Sequence, residues 1–210
     1  MSFPLTLYYC PGHLSFAPHV LLNEIGQPFE LQCVSIKDGE TRQLAFRELN
    51  PKGKVPVLAT PHGILTEASA ILVWLALTWP ECRLLPATPF ERAQAIEWLN
   101  WLSSMMPASI ALRLHPHRVT DEENAWQGIR RHGLRECEQL YQQIENRLRD
   151  KTWAVGGAFS IVDPAVMIFF RWGTLLGLDM SQFPHWRQHT DNMLRRPAVL
   201  TTLSTEQIAF

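Results

Sequence analysis

The sequence predicts two unlike halves, an α/β half with the element order βαβαββα followed by an all-α half. Three observations carry this reading. Short alternating runs and helical runs take turns over the first eighty residues, and strand signals vanish after Trp79-Pro80. Beyond that point two long stretches carry apolar residues at three- and four-residue steps. The boundaries that follow are residues 1–80 for the α/β half, 81–89 for a linker containing Pro86 and Pro89, and 90–210 for a helical bundle.

Leu5–Tyr9 reads as a strand, Pro11-Gly12 as a turn, and Ala17–Ile25 as a helix stopped by Gly26. Phe29–Ile36 is a second strand and Gln43–Leu49 a short helix. Val57–Ala59 and Gly63–Leu65 flank Pro61-His62 as a hairpin, and Glu67–Thr78 is periodic enough for a helix. A strand, helix and strand pair in parallel through a right-handed crossover, and the hairpin adds antiparallel strands to the same sheet. In the second half Phe90–Met106 is a helix that Pro107 should interrupt. Glu122–Arg149 is another, with Trp126, Ile129, His132, Cys137, Leu140, Tyr141, Ile144 and Leu148 on its core face. Ser160 and Asp163 are spaced as a capping box, and Pro164–Trp172 should form the most buried helix.

Hydrophobic residues make up 46% of the 210 and charged residues 19%, a balance that folds without a partner. Nineteen Lys and Arg stand against twenty Asp and Glu, so no field is built to hold a polyanion, and nucleic acid is not an expected ligand. The apolar runs Ile71–Leu77 and Ala165–Phe170 fall far short of the ~20 residues of a membrane span. The start, MSFPLTLYYC, has no basic region leading into an apolar run, so a cytoplasmic protein without membrane contact is expected. Cys10, Cys33, Cys82 and Cys137 show neither a disulfide framework nor metal-ligand spacing, and His115-x-His117 lacks a third ligand. No metal is expected. The eight Trp residues, as in EWLNW at 97–101, read as core filling rather than a ligand cage.

Two stretches point to a binding site. In Asn50-Pro51-Lys52-Gly53-Lys54-Val55-Pro56-Val57-Leu58 a proline enters a strand, which suits a cis Val55–Pro56 bond with Val55 presenting its backbone to a peptide ligand. An ordinary Pro/Gly loop is the alternative. In Leu65-Thr66-Glu67-Ala68-Ser69 an acid stands at a helix start, where Glu67 can bind an ammonium while the free N–H groups near Ala68 and Ser69 take a carboxylate. A plain N-terminal charge is the alternative there.

With Tyr9, Pro11-Gly12, Ser15, His19, Glu97-Trp98-Leu99-Asn100 and Arg195-Arg196-Pro197-Ala198-Val199, these stretches resemble the glutathione transferase superfamily nearly end to end, and the bacterial beta-type enzymes most. The resemblance implies a thioredoxin-like first domain that binds glutathione, a helical domain that completes a pocket for a small hydrophobic electrophile, and a homodimer. Glutathione would be a co-substrate, with no tightly bound cofactor. Lys37, Lys54, Val55, Pro56, Glu67, Ala68, Ser69 and Asn100 are the implied glutathione contacts. Leu14, Met105, Met106 and Arg113 are the candidates for the second pocket.

The sequence departs from the family at Pro11-Gly12-His13-Leu14-Ser15, where Leu14 holds the position of the beta-type cysteine. Ser15 is then the first candidate to stabilise a thiolate, with Tyr9 and Cys10 as the others. Ser15 as a helix cap is the competing reading. Pro107 stands where the family often has a histidine. A thiolate-activating transferase is the leading function. A noncatalytic glutathione-binding or regulatory protein is the alternative that Leu14 and Ala68 favour, and a glutathione-dependent isomerase is a third. Disulfide exchange is disfavoured by Leu14.

Overall fold

The computed structural model describes residues 5–210, so the reading of the first four residues lies outside it. Leu5–Tyr9 forms β1, Phe29–Cys33 β2, Val57–Thr60 β3 and Gly63–Thr66 β4. They make one sheet in the order β2-β1-β3-β4. β1 and β2 run parallel with Leu7 opposite Leu31, and β1–β3 and β3–β4 run antiparallel with Leu7 opposite Leu58. Helix α1, Phe16–Ile25, supplies the crossover, and α2, Leu44–Leu49, and α3, Ala68–Thr78, complete the first half. β2 ends sooner than its apolar run because Ser35 turns the chain: its N–H donates to the Glu40 carboxylate, and its hydroxyl donates to Asp38.

The second half consists of α4, Pro89–Leu114, α5, Glu123–Leu148, α6, Asp163–Leu176, α7, Pro184–Met193, and α8, Pro197–Glu206. Thr88 caps α4 with a full capping box, its hydroxyl accepting from the Glu91 N–H while Glu91 reaches back. The sequence predicts no separate elements at α7 and α8. Each opens on a proline at its first position, Pro184 and Pro197, where the missing N–H costs nothing.

Two sequence expectations are corrected. Helix α4 runs through Pro107 to Leu114. Packing holds its far end: a Cβ on Gly133 of α5 would lie 2.5 Å from the Arg113 nitrogen, so the two backbones nearly touch beyond the proline. His132 points outward, its side chain about half exposed, and is not a core residue.

The Ser160–Asp163 link forms, with the polarity of its hydroxyl reversed. Asp163 accepts from the Ser160 N–H and hydroxyl, from the Ala154 N–H and from His189, all of it buried. Behind it Ala165 to Phe170 are all buried, so α6 is the central column of one core that also takes in α1, α3 and β1. Each large apolar side chain fully buried there contributes roughly 1.5–3 kcal/mol. The core is therefore shared by both halves, and the cleft between them has a firm floor.

Candidate functional site

The turn leading into α1 is built by Ser15. Its hydroxyl donates to the Cys10 carbonyl at 3.0 Å and accepts from the Cys10 N–H at 3.1 Å, and the side chain is fully buried. It makes no cap bond to α1. Because a serine has one hydrogen to give, Ser15 has none left for a thiolate in this conformation, which corrects its expected direct role. The N–H groups of Leu14 and Ser15, by contrast, donate to no acceptor among the described residues. They are the free donors at the start of α1.

The same turn is held from behind by the second half. Gly12 donates its N–H to Glu206 at 2.9 Å and accepts from the Trp172 indole at 2.8 Å. Its φ of +71° suits glycine, and a Cβ there would stand 2.9 Å from the Arg171 guanidinium. The other Glu206 oxygen meets buried His19 at 2.9 Å.

Across the cleft, the Val55–Pro56 bond is cis, and the Val55 backbone has no hydrogen-bond partner among the described residues. Asn50 shapes the loop by donating to the Lys54 carbonyl at 2.7 Å. Glu67 stands directly before α3 at φ +70°, a left-handed value that costs a non-glycine residue ~1–3 kcal/mol. Its carboxylate is largely exposed and accepts from Lys52 at 2.6 Å, and Lys52 also reaches the Thr66 hydroxyl at 2.8 Å. One step on, the Ser69 hydroxyl meets Ser103 of α4 at 3.0 Å. Ser103 gives its own hydrogen to the Leu99 carbonyl, so Ser69 is the donor of this pair. Leu14, Ala68, Ser69, Leu102, Ser103 and Phe169 line the narrow cleft where the two halves meet.

The remaining candidates divide. Lys37, Lys54 and Asn100 are exposed and make no side-chain bond among the described residues, Lys54 in the cis-proline loop, Lys37 in the turn after β2 and Asn100 on α4. Tyr9 faces the core and meets the His19 ring at a tilt of 58°, with ring centres 5.6 Å apart, so it turns away from the cleft. Burial and then the Cys33 thiol raise its pKa, which keeps the phenol neutral. Cys10 is half-buried, and desolvation raises its thiol pKa despite a backbone hydrogen bond at Ile36 that lowers it. Met106 is buried in the core and Met105 exposed, which leaves Met105 as the methionine available to a ligand. Arg113 belongs elsewhere: its Nε donates to the Leu176 carbonyl at 3.4 Å, at the negative end of α6. Lys52, Ser103 and Trp172 were not among the sequence candidates. Lys52 lay inside the quoted proline loop, whereas Ser103 and Trp172 reach the site only through tertiary packing.

A cis-proline loop, an acid at a helix start and a capped turn, arranged across a cleft between a four-stranded α/β domain and a helical bundle, define a two-domain protein with a thioredoxin-like half. Residues 13–78 match the family model for the glutathione S-transferase N-terminal domain, and residues 129–197 match the model for its C-terminal domain. Glutathione S-transferase GstA of Escherichia coli O157:H7 is 30% identical, over 96% of this chain and 98% of that protein. A sphingomonad glutathione S-transferase solved with glutathione is 28% identical with TM-score 0.83, covering 97% of this chain and 100% of that one. A bacterial beta class enzyme of Sphingomonas chungbukensis is 28% identical with TM-score 0.84, over the same shares. The chain belongs to the glutathione S-transferase family, a family of enzymes.

Proposed function

We propose that this chain binds reduced glutathione along Val55, Pro56, Glu67 and the first turn of α3, and activates its thiol for attack on a small hydrophobic electrophile. Glu67 carries the reading: a non-glycine residue kept at a left-handed φ, beside the unpaired backbone of Val55, at the N-terminus of a helix. An acid placed there offers a charge to the ligand ammonium, while the N–H groups of Ala68 and Ser69 take the adjoining carboxylate. The Val55 N–H and C=O pair with the extended tripeptide. Lys37, Lys54 and Asn100 stand at the periphery of that contact.

Lowering a thiol from about 8.5 to about 6.5 takes ~2.7 kcal/mol of preferential thiolate stabilisation. The free N–H groups of Leu14 and Ser15 supply much of this at the positive end of α1. Ser15 is then a positioning residue that holds the Cys10 turn open to those donors. Leu14 stands where beta-type enzymes place a cysteine, so the cleft is more apolar and mixed-disulfide chemistry is not favoured. The raised Cys10 pKa acts in the same direction, since the thiolate is the exchanging species. Leu14 and Met105 face the electrophile. A homodimer, a cytoplasmic location and a domain boundary across residues 81–89 complete the proposal, on the family likeness.

A second reading, a noncatalytic glutathione-binding protein, is favoured by Leu14 and by Ala68, which offers no hydroxyl to the ligand carboxylate. Isomerase chemistry is a third, since a probable maleylacetoacetate isomerase of Vibrio cholerae is 27% identical over 92% of this chain. Titration calorimetry with glutathione, repeated across pH and in buffers of different ionisation enthalpy, separates the first two. Binding with proton release near neutrality supports thiolate activation. Binding without it supports the noncatalytic reading, and no binding overturns both.

A further inference from the structure

The narrow cleft where the two halves meet is apolar except for two hydroxyls. Leu14, Ala68, Leu102 and Phe169 stand in its walls, and Ser69 of α3 and Ser103 of α4, both half-buried, are the polar side chains that line it. The free space among them, about 10 Å³, admits one water-sized group, the order of size of a single thiol. Leu14 brings the start of α1 to the same space, where its own N–H and that of Ser15 have no acceptor among the described residues.

The two hydroxyls form a short chain. Ser69 donates to Ser103 across 3.0 Å, and Ser103 donates to the Leu99 carbonyl, one turn back on its own helix, at 2.6 Å. That carbonyl lies inside α4 and is the regular acceptor of the Ser103 backbone N–H, so it keeps a partner when the hydroxyl leaves. Rotation about the Cβ–Oγ bond alone redirects the Ser103 hydrogen, and Oγ stays in place to accept from Ser69. A hydroxyl that accepts one hydrogen bond donates a stronger one. Ser15, by contrast, is fully buried in the Cys10 turn and does not line this space.

We propose that Ser103 donates a hydrogen bond to the glutathione sulfur from the helical half, facing the free N–H groups of α1, with Ser69 polarising it from behind. The inference rests on the glutathione reading above and adds a side-chain donor to it. The S–H bond breaks with its electron pair left on sulfur, and the proton passes to bulk water. Ser103 keeps its own proton and stabilises the anion. No titratable side chain lines the space. The titratable groups nearest in sequence to its walls are His13 before α1, Glu67 before α3, Glu97 on α4 and Asp163 on α6, and their ionisation is common to every variant compared below.

The test is the pH dependence of kcat and kcat/KM with a chlorodinitrobenzene, where sulfur forms the new bond to carbon and chloride leaves. Calorimetric binding of glutathione and the ultraviolet absorbance of its bound thiolate accompany it. Ser103→Ala should raise the apparent pKa of bound glutathione by about one unit and lower kcat about tenfold below that pKa, with the profiles meeting at alkaline pH and the Kd within about twofold of the parent. Ser103→Thr keeps the hydroxyl and should restore the parent profile. Ser69→Ala should shift it in the same direction by less. Ser104→Ala should leave it unmoved, because the exposed Ser104 hydroxyl donates to the Trp101 carbonyl on the same helix. Circular dichroism verifies that each variant is folded. An unshifted Ser103→Ala profile in folded protein, an equal shift from Ser104→Ala, or a Ser103→Thr protein as impaired as Ser103→Ala overturns the assignment and leaves the glutathione reading standing. No glutathione binding by the parent, or binding without proton release, sinks the proposed activation and this inference with it.

Discussion

At Glu67 the proposed binding role and stability oppose one another most directly. Glycine at this position relieves the left-handed backbone, although it also frees the unfolded chain and loses an exposed ion pair of small value. Glu67→Gly is therefore expected to hold or raise the melting temperature, whereas Glu67→Ala keeps the strain and does not. Both variants should lose ~1–3 kcal/mol of glutathione affinity with the missing charge-assisted bond. Calorimetry and thermal melting on the two variants verify this, and unchanged affinity in folded protein removes Glu67 from the site. His13, three residues past Cys10, makes a pH prediction. Burial, with a smaller push from Arg171, lowers its pKa against the pull of Glu206. The unfolded imidazole then binds its proton at higher pH than the folded one, so this residue's contribution is full above the ordinary value near ~6.5 and is lost as pH falls below it. Stability measured in urea from pH 7 down to 5.5 should fall less steeply in His13→Asn than in the parent. An equal or steeper slope refutes the assignment.

At the scale of elements, α4 carries the clearest tension. A proline inside a helix removes a hydrogen bond and costs about 3 kcal/mol, yet α4 continues for seven residues past Pro107. The tight seat of Gly133 against Leu112 and Arg113 is what keeps it going. Pro107→Ala should accordingly stabilise the protein by ~1–3 kcal/mol, and Gly133→Ala should destabilise it by about 2 kcal/mol or more through overpacking. Denaturant titrations decide both, and a neutral Gly133→Ala would show that the helices separate cheaply. This tension also explains what the sequence disclosed. β1, the hairpin and α3 were legible because alternation, turn residues and helical periodicity are local signals, and the cis Val55–Pro56 loop was legible because its residue order is itself the motif. The extension of α4 was not legible, since its cause lies twenty-six residues away on α5. Ser15 was legible as a residue of the site loop but not in its role, because the partner that takes its hydrogen is the Cys10 backbone.

Across the whole molecule the two halves are joined along α1. Helix α8 lies against it, with Asn23 bonded to Thr202 at 2.9 Å, Arg196 making a two-pronged contact to Glu24, and Glu206 buried at the end of the seam. Glu206 holds two groups at once, the His19 ring and the Gly12 N–H, so the last turn of the helical half fixes the loop that leads into α1 beside the cleft between the halves. Removing only the carboxylate strands a buried imidazole and a buried N–H, and Glu206→Ala is expected to cost ~3–5 kcal/mol. Replacing both side chains, His19→Leu with Glu206→Leu, removes the unpaired ring and should recover much of that loss. What remains, ~1–3 kcal/mol, belongs to the Gly12 N–H, which leucine cannot satisfy. Urea unfolding followed by tryptophan fluorescence and by far-ultraviolet circular dichroism measures all three proteins. Because Trp172, one of eight tryptophans, donates to the Gly12 carbonyl, the part of the fluorescence change that a Trp172→Phe background removes should precede the loss of the helices in Glu206→Ala, whereas fluorescence and circular dichroism should coincide in the parent. Coincident transitions in every variant, with no recovery in the double replacement, would mean that Glu206 acts as an ordinary buried residue and does not tie the site loop to the helical half.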